Sequence, residues 1–262
     1  MQPKEFTQQS LSNPFPYDYN KGGIRYAGHR RTDPHIAAYI HTALGSARTV
    51  LNVGAGAGSY EPSDRYVLAV EPSIAQRAQR PSHLPPAMIG TAESLPFDNG
   101  AFDASMAMFT LHHWGDMEDG LREMKRLTRQ RVLVMSADPD ALDLFWNVEY
   151  FREVVEIERK RYPRIEWITD ILGPNCRVES LPIPLDCVDG FQEAFYGRPE
   201  AFLDKEVRKA QSAWRFLPDG AEEILVQRLA DDLASGEWDR KFGHYRTQAT
   251  FMGALRLIIA EM

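Results

Sequence analysis

The chain has 262 residues, of which 44% are hydrophobic and 26% are charged, and its formal net charge is -7. This length fits one sizeable α/β domain with an appendage or two small domains, and the balanced composition excludes the disordered class. The acidic excess argues against a nucleic-acid partner, because phosphates are bound mainly by Lys and Arg. The two cysteines, Cys176 and Cys187, are too few for a disulfide framework or a four-cysteine zinc site.

The first 20 residues are polar and contain prolines, so they lack the apolar segment of a signal peptide. No apolar run in the chain approaches the ~20 residues that span a bilayer. We therefore expect a cytoplasmic protein without a membrane partner.

Helix and strand signals alternate along the first half of the chain. Asp33, followed by Pro34, predicts the start of a helix that Gly45 is placed to end. Another helix is predicted from Met117 to Leu127. Short apolar runs predict five strands, at residues 50–53, 66–70, 87–89, 101–108 and 131–135. This alternation implies βαβ units and an α/β fold with a mostly parallel, doubly wound sheet.

The second half of the chain has a different pattern. Apolar residues from Leu144 to Val155 predict one long amphipathic helix, and residues 177–185 alternate like an edge strand. Residues 191–235 are predicted to be helical, and 254–259 to form a last strand antiparallel to the rest of the sheet. We expect an N-terminal helical cover at 1–45, a cofactor-binding Rossmann-like core at 46–183, a helical substrate lid at 184–250 and a final strand at 251–262.

A glycine-rich turn and an acidic residue mark the ends of the first two predicted strands. Residues 52–58 read Asn-Val-Gly-Ala-Gly-Ala-Gly, and such glycines let a ligand approach backbone N–H groups closely. Glu71 follows the second strand, where its carboxylate would face the same crevice and accept hydrogen bonds from a ribose. The alternatives are a tight turn without a ligand and a Glu that caps a helix. Together the two features point to an adenosine-containing ligand.

The dinucleotide-binding fingerprint is not met. Gly58 falls one position too early, and residues 60–62 curtail the helix that would hold a pyrophosphate. This departure counts against a nicotinamide-dependent oxidoreductase, which stays as an alternative, and a cofactor-binding protein without turnover is another.

Two further segments carry a family resemblance. Residues 90–103 read Gly-Thr-Ala-Glu-Ser-Leu-Pro-Phe-Asp-Asn-Gly-Ala-Phe-Asp, and residues 109–114 read Phe-Thr-Leu-His-His-Trp. With the glycine turn and Glu71 before them, they resemble the class I S-adenosylmethionine-dependent methyltransferases, in the small-molecule branch with the pattern AExLPFxxxxFD…LHHW. The resemblance covers about residues 48–138 and, more weakly, 186–191. It implies a Rossmann-like transferase with S-adenosyl-L-methionine as cofactor and a small, aromatic or otherwise apolar acceptor.

The resemblance also implies roles for single residues. Glu71 would hold the ribose, Pro72 would lie against the adenine, and Met108 and Phe109 would flank the sulfonium. An Arg of the N-terminal cover could contact the methionine carboxylate, with a solvated basic face as the alternative. The family often has Asp where Asn52 and Thr91 stand. The predicted cofactor-binding residues are Asn52, Gly54, Ala55, Gly56, Gly58, Glu71, Pro72, Ala92, Glu93, Met108, Phe109 and Arg30.

Methyl transfer from a sulfonium needs no metal, because the methyl group is already activated. A general base is needed only where the acceptor must lose a proton. His113 and His112 are the candidates, since a neutral imidazole accepts a proton near pH 7. The alternative is that both histidines only shape the floor of the pocket. No segment of the type Asn/Asp-Pro-Pro-Tyr/Phe, which grips a flipped nucleobase, follows the fourth predicted strand.

Overall fold

The computed structural model describes residues 26–262. The N-terminal part of the predicted cover, residues 1–25, lies outside the described residues. The strands in chain order are β1 (Thr49–Val53), β2 (Tyr66–Val70), β3 (Phe102–Met108), β4 (Thr128–Ala137), β5 (Cys176–Ser180), β6 (Ile183–Pro184), β7 (Thr250–Phe251) and β8 (Leu255–Glu261). Six of them form one sheet in the order β2-β1-β3-β4-β8-β5. Neighbours among β1 to β4 pair in parallel, whereas β8 is antiparallel to both β4 and β5.

Helices connect the strands and cover both faces of the sheet. In chain order they are α1 (Tyr26–His29), α2 (Pro34–Ala43), α3 (Ile74–Arg77), α4 (Met117–Leu127), α5 (Asn147–Tyr150), α6 (Arg152–Arg161), α7 (Ile165–Leu172), α8 (Lys205–Lys209), α9 (Ala221–Ser235) and α10 (Glu237–Phe242). Short 3₁₀ turns lie at Leu111–His113, Pro139–Leu144, Gln192–Phe195, Pro199–Leu203, Ser212–Phe216 and Gly243–Arg246. No helix within residues 26–262 is both long enough and apolar enough to cross a membrane.

Local sequence signals explain where two of the helices begin and end. The Asp33 carboxylate accepts hydrogen bonds from the N–H groups of His35 and Ile36, at 2.9 and 3.2 Å, and so caps α2 as predicted. Gly45 follows this helix with a φ of 55°, a conformation that glycine adopts without strain. Asp116 caps α4 by accepting from the N–H of Asp119 at 3.0 Å.

The buried strands divide their side chains between two hydrophobic clusters. In β4, Leu133 and Met135 point to one cluster, and Val132 and Val134 point to the other. This alternation follows from the two-residue period of a strand with both faces covered. The first cluster includes α2 and the aromatic residues of the second half of the chain, and the second includes α4 and α7. The carboxyl ends of the parallel strands are thereby held in a rigid frame.

The predictions for residues 87–89 and for residues 144–155 are wrong. Residues 87–89 form no strand but a single parallel bridge between Val70 and Met88, because two prolines precede them and Ile89 is exposed at the sheet edge. The helix predicted from 144 to 155 is broken, and α5 and α6 are separated at Phe151, whose ψ of 42° is not helical. Burial of Phe151 in the aromatic cluster overrides the local helical pattern.

The two ends of the segment between β6 and β7 lie side by side, because β6 and β7 pair with each other. Ile183 pairs with Phe251 and Pro184 with Thr250 in an antiparallel ribbon. In the region predicted to be helical, residues 192–216 consist largely of 3₁₀ turns, and the one long helix is α9. Pro199 and Pro218 explain part of this difference, since proline ends or prevents regular helices. The division into cover, core, lid and final strand stays a prediction.

Candidate functional site

A cavity of about 360 Å³ lies beyond the carboxyl ends of β1, β2 and β3. In a doubly wound sheet this crevice is the usual place for a ligand. Most of the residues singled out from the sequence meet there. Those that line it are Arg30, Asn52, Gly54, Ala55, Gly56, Glu71, Pro72, Ala92, Glu93, Met108, Phe109 and His113.

Gly58 and His112 do not line this cavity. A Cβ atom at Gly58 would lie 2.4 Å from Leu84 Cδ1 and 3.0 Å from Arg80 Nη1. Glycine at this position therefore leaves room for the segment that follows α3. His112 is buried and lines a second, smaller cavity next to the first. Gly58 is therefore a packing residue in this structure.

The glycine turn after β1 approaches another loop very closely. Gly54 has a φ of 67°, and a Cβ atom there would lie 2.1 Å from Thr110 Oγ1. Thr110 Oγ1 also accepts a hydrogen bond from Trp114 Nε1 at 3.2 Å. Glycine at this position therefore brings β1 and the end of β3 together at the cavity wall. Thr110 and Trp114 line the cavity as well, although the sequence motifs did not single them out as ligand-binding residues.

The Glu71 carboxylate is buried and held by two backbone groups. Its Oε2 accepts from the N–H of Gly56, and its Oε1 accepts from the N–H of Ser73, both at 2.8 Å. Burial raises the pKa of this carboxyl above its usual value, although the two backbone hydrogen bonds oppose the shift. Each oxygen keeps lone-pair capacity toward the cavity, since a carboxylate accepts about four hydrogen bonds.

Asn52 contributes a buried acceptor without a partner. Its Nδ2 donates to Glu61 Oε1 at 2.9 Å, whereas its Oδ1 has no hydrogen-bond partner within residues 26–262. Glu61 is fixed in turn by a buried ion pair with Arg80, at 2.8 Å. Gln76 Oε1, also on the cavity wall, is unpartnered in the same part of the chain. Because an unsatisfied buried acceptor is costly, these two oxygens indicate a ligand that carries hydrogen-bond donors.

Phe109 has an unusual backbone conformation at the end of β3. Its φ is 53°, which is rare for a bulky residue and which clusters at functional sites. The N–H of Phe109 donates to the carbonyl of Met135 at 2.9 Å, which ties this turn to β4. The Phe109 ring packs against Phe191 at 5.3 Å between centroids, and the Arg30 guanidinium lies 5.3 Å from its centre. The conformation thus places an aromatic side chain between the two cavities, since Phe109 lines both.

Arg30 belongs to a buried polar network that connects three distant segments. Its Nε donates to Asp189 Oδ1 at 2.6 Å, and the Tyr60 hydroxyl donates to Asp189 Oδ2 at 2.8 Å. Desolvation and the adjacent Asp189 raise the pKa of Tyr60 well above its ordinary value, so the hydroxyl stays protonated. Asp189 and Tyr60 were not predicted as site residues, although residues 186–191 carry part of the family resemblance. The network fixes Arg30 where both cavities meet.

His112 and His113 are both neutral at physiological pH. Burial lowers the pKa of each imidazole well below its ordinary value, and the nearby guanidinium of Arg161 adds to the effect. Arg161 Nη2 lies 3.4 Å from His113 Nδ1. The His112 ring packs 4.0 Å from the His113 ring and 4.5 Å from the Tyr162 ring. The two histidines predicted as candidate bases therefore differ in position. His113 lines both cavities, whereas His112 lines only the smaller one.

A comparison with protein families agrees with this geometry. Residues 51–135 match the family model described as a methyltransferase domain. The chain carries a methyltransferase domain. The matched range begins in β1 and ends in β4, and it contains the glycine turn, Glu71 and the end of β3. The predicted family is thereby confirmed, and a methyltransferase domain implies S-adenosylmethionine as the cofactor.

Two curated proteins resemble the methyltransferase domain in sequence. The uncharacterized protein YafE of Escherichia coli is 35% identical over 124 residues, which are 44% of this chain and 58% of YafE. The demethylmenaquinone methyltransferase of Mycolicibacterium gilvum is 37% identical over 111 residues, which are 40% of this chain and 49% of that protein. The chain thus spans about half the length of these curated relatives.

A solved structure from Anabaena variabilis is among those that resemble nearly the whole chain. This protein is assigned as a methyltransferase of an antibiotic biosynthesis pathway. It is 26% identical to this chain, the superposition has a TM-score of 0.82, and the match covers 90% of this chain and 100% of the other. The predicted Rossmann-like fold, with its antiparallel strand beside β4, is therefore confirmed around the methyltransferase domain.

Proposed function

We propose that this protein is an S-adenosylmethionine-dependent methyltransferase that acts on a small-molecule acceptor. The observation that carries this proposal is the convergence of the glycine turn, Glu71 and the Met108–Phe109 strand end on one cavity within a methyltransferase domain. These segments lie far apart in sequence. Together they supply what the adenosyl group and the sulfonium require, namely backbone N–H groups that a ligand can approach closely, a carboxylate and an apolar wall.

The residues present fit this cofactor. Glu71 would accept hydrogen bonds from the ribose hydroxyls, and Pro72 and Ala92 would flank the adenine. The unpartnered Asn52 Oδ1 would accept from the ammonium of the methionine portion, and Arg30 would attract its carboxylate. When bound, S-adenosylmethionine supplies a methyl group on a sulfonium, with no need for a metal.

The smaller cavity supports a small acceptor. It measures about 50 Å³ and shares Arg30, Phe109 and His113 with the larger one, so a molecule seated in it would adjoin the cofactor. The Mycolicibacterium relative is named a demethylmenaquinone methyltransferase, and this name supports a small-molecule acceptor over a nucleic acid. Phe109, Phe191 and Leu255 offer apolar surface for an aromatic or apolar body. The chain would accelerate the transfer mainly by holding the two reactants in line, a contribution of up to ~7–11 kcal/mol.

Calorimetry with S-adenosylhomocysteine and with NADH tests the proposal. We expect binding of S-adenosylhomocysteine and none of NADH, and the reverse result would favour an oxidoreductase. Glu71→Ala should weaken the binding of S-adenosylhomocysteine by roughly 1–3 kcal/mol, because it removes a charged hydrogen-bond acceptor. Glu118→Ala, on the exposed side of α4, is the matched control and should bind as the wild type does. Equal affinities of the two variants would refute the ribose assignment.

Turnover distinguishes an enzyme from a protein that only binds the cofactor. Purified protein with a radiolabelled methyl donor should transfer the label to at least one compound of a small-molecule extract. Binding of S-adenosylhomocysteine without any such transfer would favour the non-catalytic alternative.

A further inference from the structure

The smaller cavity contains two carboxyl groups, only one of which is committed to the fold. We name this cavity the acceptor chamber, and it is lined by residues that include Glu158, Glu193, Gln211 and His113. Glu193 Oε1 accepts from the N–H of Ala254 at 2.7 Å, so this carboxylate holds the turn before β8. Glu158 lies on α6 and faces the side chain of Gln192. Its carboxylate is therefore the chamber's available proton acceptor.

Gln211 offers the chamber a donor without a partner. This side chain is 4% exposed, and its Oε1 accepts from Trp214 Nε1 at 3.3 Å. Because an indole N–H can only donate, this contact fixes which end of the amide is the oxygen. The Gln211 Nε2 group has no hydrogen-bond partner in the described range, residues 26–262. A buried donor of this kind calls for an acceptor atom on a ligand.

His113 is not free to act as the base. Arginine has only donors, so the 3.4 Å contact from Arg161 makes His113 Nδ1 the acceptor, and the proton of the neutral ring lies on Nε2. Arg161 is held in place by a hydrogen bond to Ser212 Oγ at 2.8 Å and by the Phe216 ring at 5.1 Å. At Nε2 His113 therefore offers a hydrogen rather than a lone pair.

We propose that the acceptor chamber takes a hydroxyl group and that Glu158 removes its proton during methyl transfer, an inference that rests on the proposed function. A hydroxyl has a hydrogen for Glu158 and a lone pair for Gln211 Nε2, whereas an ammonium lacks the lone pair and a carboxylate lacks the hydrogen. The nitrogen of an aromatic amine accepts only weakly, because its lone pair is delocalised into the ring. The O–H bond breaks and its proton passes to a Glu158 carboxylate oxygen. A bond forms between the hydroxyl oxygen and the methyl carbon, and the electron pair of the broken carbon–sulfur bond stays on sulfur.

The charges around Glu158 are consistent with this role. Burial raises the pKa of Glu158 to about 7, and the nearby Gln192 side chain and the charge of Arg161 only partly oppose the shift. A carboxylate whose pKa lies near the working pH is an effective general base. The other titratable or charged groups that line or border the chamber are Arg30, His112, His113, Arg161, Tyr162 and Glu193.

Binding measurements test the hydroxyl preference without turnover. Protein loaded with S-adenosylhomocysteine is titrated by calorimetry with phenol, aniline and benzoate, which share one ring and differ in the polar group. We expect phenol to bind at least about tenfold more tightly than the other two. Equal binding of the three, or tighter binding of aniline or benzoate, would overturn the inference. Failure of S-adenosylhomocysteine itself to bind would instead refute the proposed function, and the inference with it.

Kinetics with phenol and a radiolabelled methyl donor test Glu158 itself. Glu158→Gln should lower turnover by about 100-fold or more, since general bases contribute ~10²–10⁴-fold. Its affinities for S-adenosylhomocysteine and phenol should stay within about threefold of the wild type, which also shows that the variant folds. Glu158→Asp should recover part of the rate. Glu153→Gln, the same change at an exposed position of α6, should behave as the wild type.

The pH profile separates a proton acceptor from a structural residue. Wild-type turnover should rise with pH up to about 7 and then level off, as Glu158 loses its proton. This rise should disappear in Glu158→Gln and persist in His113→Gln. Turnover of Glu158→Gln within threefold of Glu153→Gln, or no transfer to phenol by protein that binds S-adenosylhomocysteine, would overturn the inference.

Discussion

Gly54→Ala tests the close contact that closes the cofactor cavity. The added Cβ would lie 2.1 Å from Thr110 Oγ1 and 3.0 Å from Thr110 Cβ and Cγ2, well inside van der Waals contact. Alanine would also have to adopt the φ of 67° seen for Gly54, in the left-handed region that L-residues disfavour. The substitution therefore combines backbone strain with a steric clash, and the two effects can be measured separately.

The expected magnitude follows from these two effects. The left-handed conformation costs roughly 1–2 kcal/mol, and overpacking of a buried site typically costs about 1–3 kcal/mol. Gly54→Ala should therefore lower the free energy of unfolding by about 2–5 kcal/mol and weaken the binding of S-adenosylhomocysteine. Gly220→Ala is the matched control, because its φ is 80° but nothing lies within 4 Å of the added Cβ. It should show the strain alone and leave ligand binding unchanged.

Urea denaturation and calorimetry provide the readouts. The double variant Gly54→Ala/Thr110→Ala should be less destabilised than the sum of its two single changes, because removal of Thr110 Oγ1 makes room for the methyl group. Additive effects, or a Gly54→Ala variant no less stable than Gly220→Ala, would show that the contact with Thr110 is not what requires glycine.

Two further predictions concern buried polar groups. Burial raises the pKa of Glu193 to about 7 from a usual 4.5, so its contribution to the free energy of unfolding should fall by about 3 kcal/mol as pH rises from 4.5 to 7. Urea denaturation between pH 5 and 8 measures this dependence. The decrease in the free energy of unfolding with rising pH should be smaller in Glu193→Gln than in the wild type. Tyr60→Phe removes a donor to Asp189 and should lower the free energy of unfolding by roughly 1–3 kcal/mol. Tyr66→Phe, whose side chain is exposed, should change it little in the same assay.

The sequence predicts those parts of the fold and site that are encoded locally. The α2 cap at Asp33, the glycine turn and Glu71 each lie within a few residues of the strand or helix that positions them. Parallel strands then bring their carboxyl ends to one edge, so the cofactor cavity follows from motif order alone. Residues 87–89 show the limit of this logic, since their apolar pattern resembles a strand but the flanking prolines leave one bridge.

The acceptor side of the site depends on tertiary packing instead. Arg161 and Glu158 lie on α6, and Ser212 and Gln211 lie some fifty residues later, at a 3₁₀ turn. No spacing rule connects these segments, and their convergence requires the break at Phe151 that sequence periodicity does not show. Arg161 in particular resembles any other basic residue at the end of an amphipathic helix.

The histidine pair shows how this packing changes the chemistry of a motif. His112 and His113 are adjacent in sequence and their rings lie 4.0 Å apart, but they do not line the same cavities. Only His113 reaches both cavities, and there Arg161 occupies its Nδ1. A histidine motif that suggests a general base therefore supplies a hydrogen-bond donor here. Because the proton still needs an acceptor, the role falls to the carboxylate that the same α6 brings to the chamber.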